Sequence, residues 1–185
     1  GIDLQVDWAF PVGPGTFSLN TVFNYLITLK SAPLPLSAGA AGKLVEYAGT
    51  LGPAGSNAIA ENGLNPGAFR WKMFNTFGYS VGPASISLQW QHLPAAKSIA
   101  YTSTPTTPFV GAPAYDLFNL SGTFTITKNA TLRWGIDNLF DKAPPLAEYN
   151  ASTTGLANGS GASPFNAYFY DLNGRRFYVG ASFKF

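Results

Sequence analysis

Connections between the patterned stretches of this chain run short, long, short, long, short, long, and that order constrains the fold more than any other feature. The stretches alternate apolar and polar residues with period two, as half-buried strands do. In "GIDLQVDWAF", Ile2, Leu4, Val6, Trp8 and Phe10 face one way and Asp3, Gln5 and Asp7 the other. "TFSLNTVFNYLITLK" puts Phe17, Leu19, Phe23, Tyr25, Ile27 and Leu29 on one face. "FRWKMFNTFGYSV" does the same with Phe69, Trp71, Met73, Phe77, Tyr79 and Val81, leaving Asn75 as a polar exception. "SISLQWQH", "DLFNLSGTFTI", "TLRWGIDN" and the closing "RFYVGASFKF" complete a set of about seven strands. Short turns fall at "PVGPG", at "GPA" and around Lys128 and Asn129, where Pro and Gly set backbone angles that strands avoid. Long connections run from Lys30 to about Pro66, from His92 to about Pro113, and roughly over residues 141–174. No three-four spacing is sustained, so a helical reading fails.

A transmembrane barrel explains this order, because its two rims differ: short periplasmic turns on one, longer extracellular loops on the other. The expected fold is all-β, an antiparallel transmembrane β-barrel. The second stretch exceeds the nine to eleven residues or so of a tilted membrane strand, so its far end is expected to stand clear of the bilayer. Charged residues are 11% of the 185 and aromatics 15%, against roughly 25% charged in ordinary globular chains. The net charge of +2 gives no reason to expect nucleic acid as a partner. There is no cysteine, which excludes disulfides and thiolate metal sites within the chain. No apolar run reaches the eighteen or so residues of a membrane helix. An odd strand count with both edges bare in hydrocarbon is untenable. The chain is therefore expected to be a segment of a longer polypeptide whose earlier strands close the cylinder.

"YDLFNLSGTFTITKNATLRWGIDNLFDKAPP" and "YDLNGRRFYVGASFKF" together resemble the C-terminal part of a TonB-dependent outer-membrane receptor. The resemblance is clearest from about Arg70 onward and rests on "NLFDK", a long loop, "GRRFYVG" and a closing Phe. It implies that residues 1–185 are the C-terminal part of the receptor's β-barrel domain, about seven strands of a 22-stranded barrel, with the plug domain and earlier strands absent. It further implies TonB-driven uptake of a scarce nutrient across the outer membrane of a Gram-negative bacterium, with a siderophore, a corrinoid or an oligosaccharide as small-molecule substrate. The implied partners are outer-membrane lipid, the remaining strands and plug, TonB through the missing N-terminal region, and the barrel-assembly machinery. That machinery favours a last strand ending polar-x-Gly-x-x-aromatic-x-aromatic, which Tyr178, Gly180, Phe183 and Phe185 match as a barrel-insertion signal; the plain reading is that they are girdle aromatics. The alternative function is a passive pore or adhesin-like barrel without energy coupling, and a soluble β-domain acting as a binding module is a third.

No catalytic set is visible, and the chain is not expected to be an enzyme or to hold a cofactor. His92 is the single histidine, too few for a His-based metal cluster, and it reads as a polar rim residue. "GLANGSG" lacks the helix a phosphate loop needs. Four Asn-x-Ser/Thr triplets, at Asn119, Asn129, Asn150 and Asn158, read as chance in Asn- and Ser-rich loops. Asp3, Asp7, Arg70, Lys72, Arg133 and Asp137 fall opposite the apolar stripe and are expected to face the lumen, since Arg or Lys toward lipid costs roughly 2–4 kcal/mol at mid-membrane. They line a solute path or grip a plug, or pair across neighbouring strands. Tyr47, Tyr101, Tyr149, Phe165, Tyr168 and Tyr170 are candidate ligand-contacting loop aromatics; the alternative is that they hold the loops together.

Overall fold

The computed structural model describes residues 1–31, 44–51, 67–98, 111–146 and 169–184, and every regular element among them is a β-strand. Seven long strands are β1 (Ile2–Val12), β2 (Gly15–Tyr25), β5 (Trp71–Val81), β6 (Ala84–Leu93), β9 (Tyr115–Thr127), β10 (Ala130–Asp137) and β11 (Arg176–Phe183). Two short ribbons pair β3 (Lys30–Ser31) with β4 (Val45–Glu46), and β7 (Ala96–Lys97) with β8 (Gly111–Ala112). The long strands form one antiparallel sheet in chain order, β1-β2-β5-β6-β9-β10-β11, with β1 and β11 at its edges. A meander of this kind places all three two-residue turns at one end and all three long connections at the other. We call these the turn end and the loop end.

Register carries the side-chain parity intact across the sheet. One apolar rung runs Trp8, Leu19, Phe77, Leu88, Leu120, Ile136, Phe177 through all seven strands. The neighbouring rung, on the opposite face, runs Ala9, Ser18, Gly78, Ser87, Ser121, Gly135, Tyr178. A slip of one residue at any pairing would exchange the faces of everything beyond it. Among the described residues no second layer covers the apolar face: Trp8 is 60%, Phe177 71% and Val179 74% exposed. A water-soluble sheet buries such a face against another element.

The buried cluster lies elsewhere, at the loop end. It comprises Leu51, Leu93, Ala96, Ala112, Tyr115, Leu117 and Tyr170, with Phe69 and Phe169 packed against it. Leu93, Tyr115 and Leu117 belong by register to the polar face, so that face turns apolar where the loop bases fold over it.

Several boundaries differ from the sequence pattern, each for a local reason. The second strand stops at Tyr25, although the alternation continues through Ile27 and Leu29. The Arg70 guanidinium takes the carbonyls of Leu26 and Ile27, and the Glu46 carboxylate takes the amide of Leu29 and the hydroxyl of Thr28. Side chains have captured the backbone groups that a longer strand would need. Phe69 is not on the apolar stripe; it meets Phe169 and Tyr170 edge-on in the buried cluster. Pro11 lies inside β1, where an edge strand tolerates its missing N–H. The first turn is thereby confined to Gly13 and Pro14, and Gly13 at φ 57°, like Gly82 at 53°, supplies the positive φ that a tight hairpin demands at its first central position.

Gly135 and Gly180 have a different use. A side chain at Gly135 would strike the ring of its cross-strand partner Tyr178, and one at Gly180 would strike Nε of its partner Arg133. Each large residue lies flat over the glycine opposite, a reciprocal packing that fixes the register of β11. Gly135→Val should lift Tyr178 and loosen that edge by about 1–3 kcal/mol, the usual cost of overpacking. Hydrogen exchange should then quicken in β11 and not in β2; equal rates in both proteins would refute the packing role.

Candidate functional site

The polar face is the surface on which charged groups collect. Asp3 and Asp7 of β1, Lys72 of β5, Arg133 and Asp137 of β10 all carry polar-face parity. Their surroundings differ. Asp7 accepts hydrogen bonds from Asn20 (2.6 Å) and Gln5 (2.9 Å), and Asp3 accepts one from Asn24. Asp137 meets its cross-strand partner Arg176 at 3.5 Å, and Arg176 also reaches Asp171 at 3.2 Å. These pairs are half exposed and stabilise the fold by about 0–1 kcal/mol each. Lys72 and Arg133 have no acidic partner among the described residues. Arg70 stands apart from the other five, one residue before β5, where its guanidinium is spent on loop carbonyls, including that of Ala48 at 2.9 Å.

At the loop end the polar face is hollowed into a pocket of about 330 Å³, within the range of small-molecule sites. Asn24, Lys72 and Gln91 supply its polar groups; Phe69, Phe74 and Phe169 supply apolar walls. Of the pocket residues that sequence reasoning missed, Phe74 left a signal: an aromatic at a position where the alternation demands a polar side chain. Phe169, Asn24 and Gln91 left none, because their convergence depends on three-dimensional approach.

Three side-chain clamps hold the bases of the long connections at this end of the sheet. Glu46 accepts from Thr28 Oγ1 (2.8 Å) and from the amides of Leu29 (2.8 Å) and Ala48 (2.9 Å). Those donors, the Leu29 amide first, hold its carboxyl down at about 2 from an ordinary 4.5, with Arg70 adding a minor attraction. Arg70 is the second clamp. The third is Asn138, which opens the "NLFDK" stretch at φ 53°. Its amide group donates to the Lys142 carbonyl (3.0 Å) and accepts from the Lys142 amide (2.8 Å), while its backbone N–H donates to Asn119 Oδ1 (2.9 Å). Asp141 then accepts from the Arg175 amide at 3.0 Å, tying the entry of β11 to the exit of β10.

Of the loop aromatics, Tyr47 and Tyr170 are 5% and 4% exposed; they hold the loop bases together and offer no face to a ligand. Burial pushes the Tyr170 phenol up to about 12. Tyr101, Tyr149, Phe165 and Tyr168 lie outside the described residues, as does Phe185. Tyr178, Gly180 and Phe183 all lie in β11, with Tyr178 and Gly180 on the polar face and Phe183 66% exposed on the apolar one. His92 also falls on the apolar face. It stacks on Trp71 (4.8 Å between centroids) and meets Asp116 at 2.7 Å, where Trp90 Nε1 donates as well (2.8 Å). Phe23, Phe118 and Phe140 extend this aromatic cluster at the loop end. A second cluster, Trp8, Phe10 and Phe17, lies toward the turn end.

Over 72 residues the chain is 42% identical to the ferrienterobactin receptor of Escherichia coli (strain K12), a stretch that makes up 38% of this chain and 10% of that protein. The match therefore spans a tenth of the relative's length. No family model matches the chain, and no solved structure matches it.

The depressed Glu46 carboxyl gives a pH signature. Its contribution is fully present above the ordinary carboxylate value of 4.5 and is lost as pH falls toward about 2. Exchange of the Leu29 and Ala48 amides, corrected for intrinsic rate, should stay slow to pH 4 and rise only toward pH 2. Glu46→Gln should exchange faster at neutral pH and lose that dependence; an unchanged profile would show that the carboxylate is not what holds the loop.

Proposed function

We propose that this chain is part of the wall of an outer-membrane β-barrel receptor that takes up a scarce nutrient with energy delivered through TonB. The observation that carries the reading is the apolar face, continuous over seven strands and uncovered among the described residues, combined with long connections gathered at one end. Lipid is the solvent that such a face suits. Strands β1, β2 and β5 are 11 residues long and β6 is 10, the length of about 9–11 that a tilted strand needs to cross a bilayer. The two aromatic clusters sit where interfacial girdles belong. On this reading the polar face lines the lumen, and the free edges of β1 and β11 pair with further strands of the same barrel, since each unpaired backbone group in hydrocarbon costs several kcal/mol. The similarity to a ferrienterobactin receptor supports the family and favours a metal–siderophore complex over a corrinoid or an oligosaccharide. The Lys72 pocket agrees, offering a cation between apolar walls to an anionic solute. The reading assigns no catalysis to the chain.

Three measurements test this. The receptor carrying the chain should fractionate with outer membranes and require detergent for extraction, and deleting Phe185 should lower its amount there. Uptake of its ferric chelate should vanish in cells lacking TonB. Recovery from the soluble fraction, or uptake indifferent to TonB, would overturn the proposal. Lys72→Glu with Phe74→Ala should weaken chelate binding about tenfold or more, the loss expected for one charge-assisted contact, without changing the amount in the membrane.

A further inference from the structure

The polar face carries a second hollow, of about 480 Å³, toward the turn end of β6, β9, β10 and β11. Two successive rungs of the polar face build it. One reads Ser85, Thr123, Arg133, Gly180 across the four strands, and the next reads Ser87, Ser121, Gly135, Tyr178. Four hydroxyl residues thus form a bed, and the two large side chains close it from the β10–β11 side. Arg133 reaches over Gly180 and Tyr178 over Gly135, so the two glycines leave room for the guanidinium and the phenol beside the hollow. Ser85 and Thr123 hydrogen-bond each other at 2.7 Å, leaving Ser87 and Ser121 to donate outward. Arg133 brings five N–H donors and no acceptor among the described residues takes one.

We infer that this hollow is an oxyanion site: it receives a carboxylate or phosphate, held by the Arg133 guanidinium, the Tyr178 hydroxyl and the serine bed. Donors are plentiful, the cation has no counter-charge among the described residues, and small residues leave room for a tetrahedral or planar anion to approach the backbone. A neutral sugar would leave the cation unanswered. The site itself rests on register and packing. Only the source of the anion rests on the face being a lumen: either an anionic solute passing through, or an acidic side chain of the polypeptide that fills the barrel. The glycine seats also account for Tyr178 and Gly180 in terms other than insertion.

The test uses the whole receptor in detergent micelles, with inorganic phosphate as probe. Calorimetric titration should show millimolar binding that weakens about tenfold in Arg133→Gln, the loss of one charge-assisted contact, and largely returns in Arg133→Lys. Ser121→Val, which fills the bed and leaves the charge, should weaken it too. If phosphate fails to bind the wild type, yet Arg133→Gln and not Arg133→Lys speeds hydrogen exchange of the lumen-filling polypeptide about tenfold, the site stands and its occupant is a carboxylate of that polypeptide. If Arg133→Gln alters neither quantity, the inference is wrong. Amounts of each variant in the outer membrane are measured alongside. A receptor absent from that membrane would undo the proposed function, while the titration would still decide the site.

Discussion

Antiparallel pairing that keeps the two faces sorted from strand to strand is the constraint on which the rest of this structure depends. Each of the six pairings joins strands that are consecutive among the seven, so parity set in β1 is handed to β11 without inversion. The single irregularity, a register shift at Ala130 and Thr131 beside the third short turn, leaves Leu132 opposite Phe124 and Arg133 opposite Thr123, and the faces stay sorted. On the proposed membrane reading, a one-residue slip would turn Arg133, Asp3 and Asp7 toward lipid among phenylalanines, and that cost enforces the pairing.

At the loop end the logic changes from ladder to clamp. Strands stop where side chains offer better partners to the backbone: Arg70 and Glu46 at the exit of β2, Asn138 at the exit of β10. Side chain to backbone bonds of this kind compete directly with the sheet for the same donors and acceptors. They let the chain leave the ladder with those backbone groups bonded and fold inward over Leu93, Tyr115 and Leu117. Two buried polar atoms have no partner among the described residues. One is the Tyr170 hydroxyl in that cluster; the other lies on the opposite face, where Asn75 bonds Thr21 through its oxygen at 2.8 Å but its buried Nδ2 finds none. We have no physical account of why an amide occupies that place.

The two hollows of the polar face follow from those two regimes. Near the turn end the rungs are regular, and a hollow arises because serine and glycine stand where larger residues could; its chemistry is donors and one cation. Near the loop end the hollow is made by the clamped loop bases, and Phe69 and Phe169 give it walls that no strand supplies. On the proposed reading, a solute entering from the loop end would meet an aromatic, singly cationic pocket first and a hydroxyl-rich one deeper.

Period-two alternation, the placement of Gly and Pro, and the lengths between them belong to the sequence by itself, because strand parity and tight-turn geometry are local properties of a few residues. They determined the seven strands, the sorting of turns from long connections, and the face on which Asp3, Asp7, Lys72, Arg133 and Asp137 stand. Tertiary structure decided what no local rule contains: that Tyr47 and Tyr170 are buried and Phe69 is half-buried against the loop-end cluster, that His92 finds Asp116 on the apolar side, that Arg70 serves the loops, and that Arg133 and Tyr178 each rest on a glycine across the ladder. Those facts depend on distances between residues far apart in sequence, which exist only once the ladder has fixed which rung faces which.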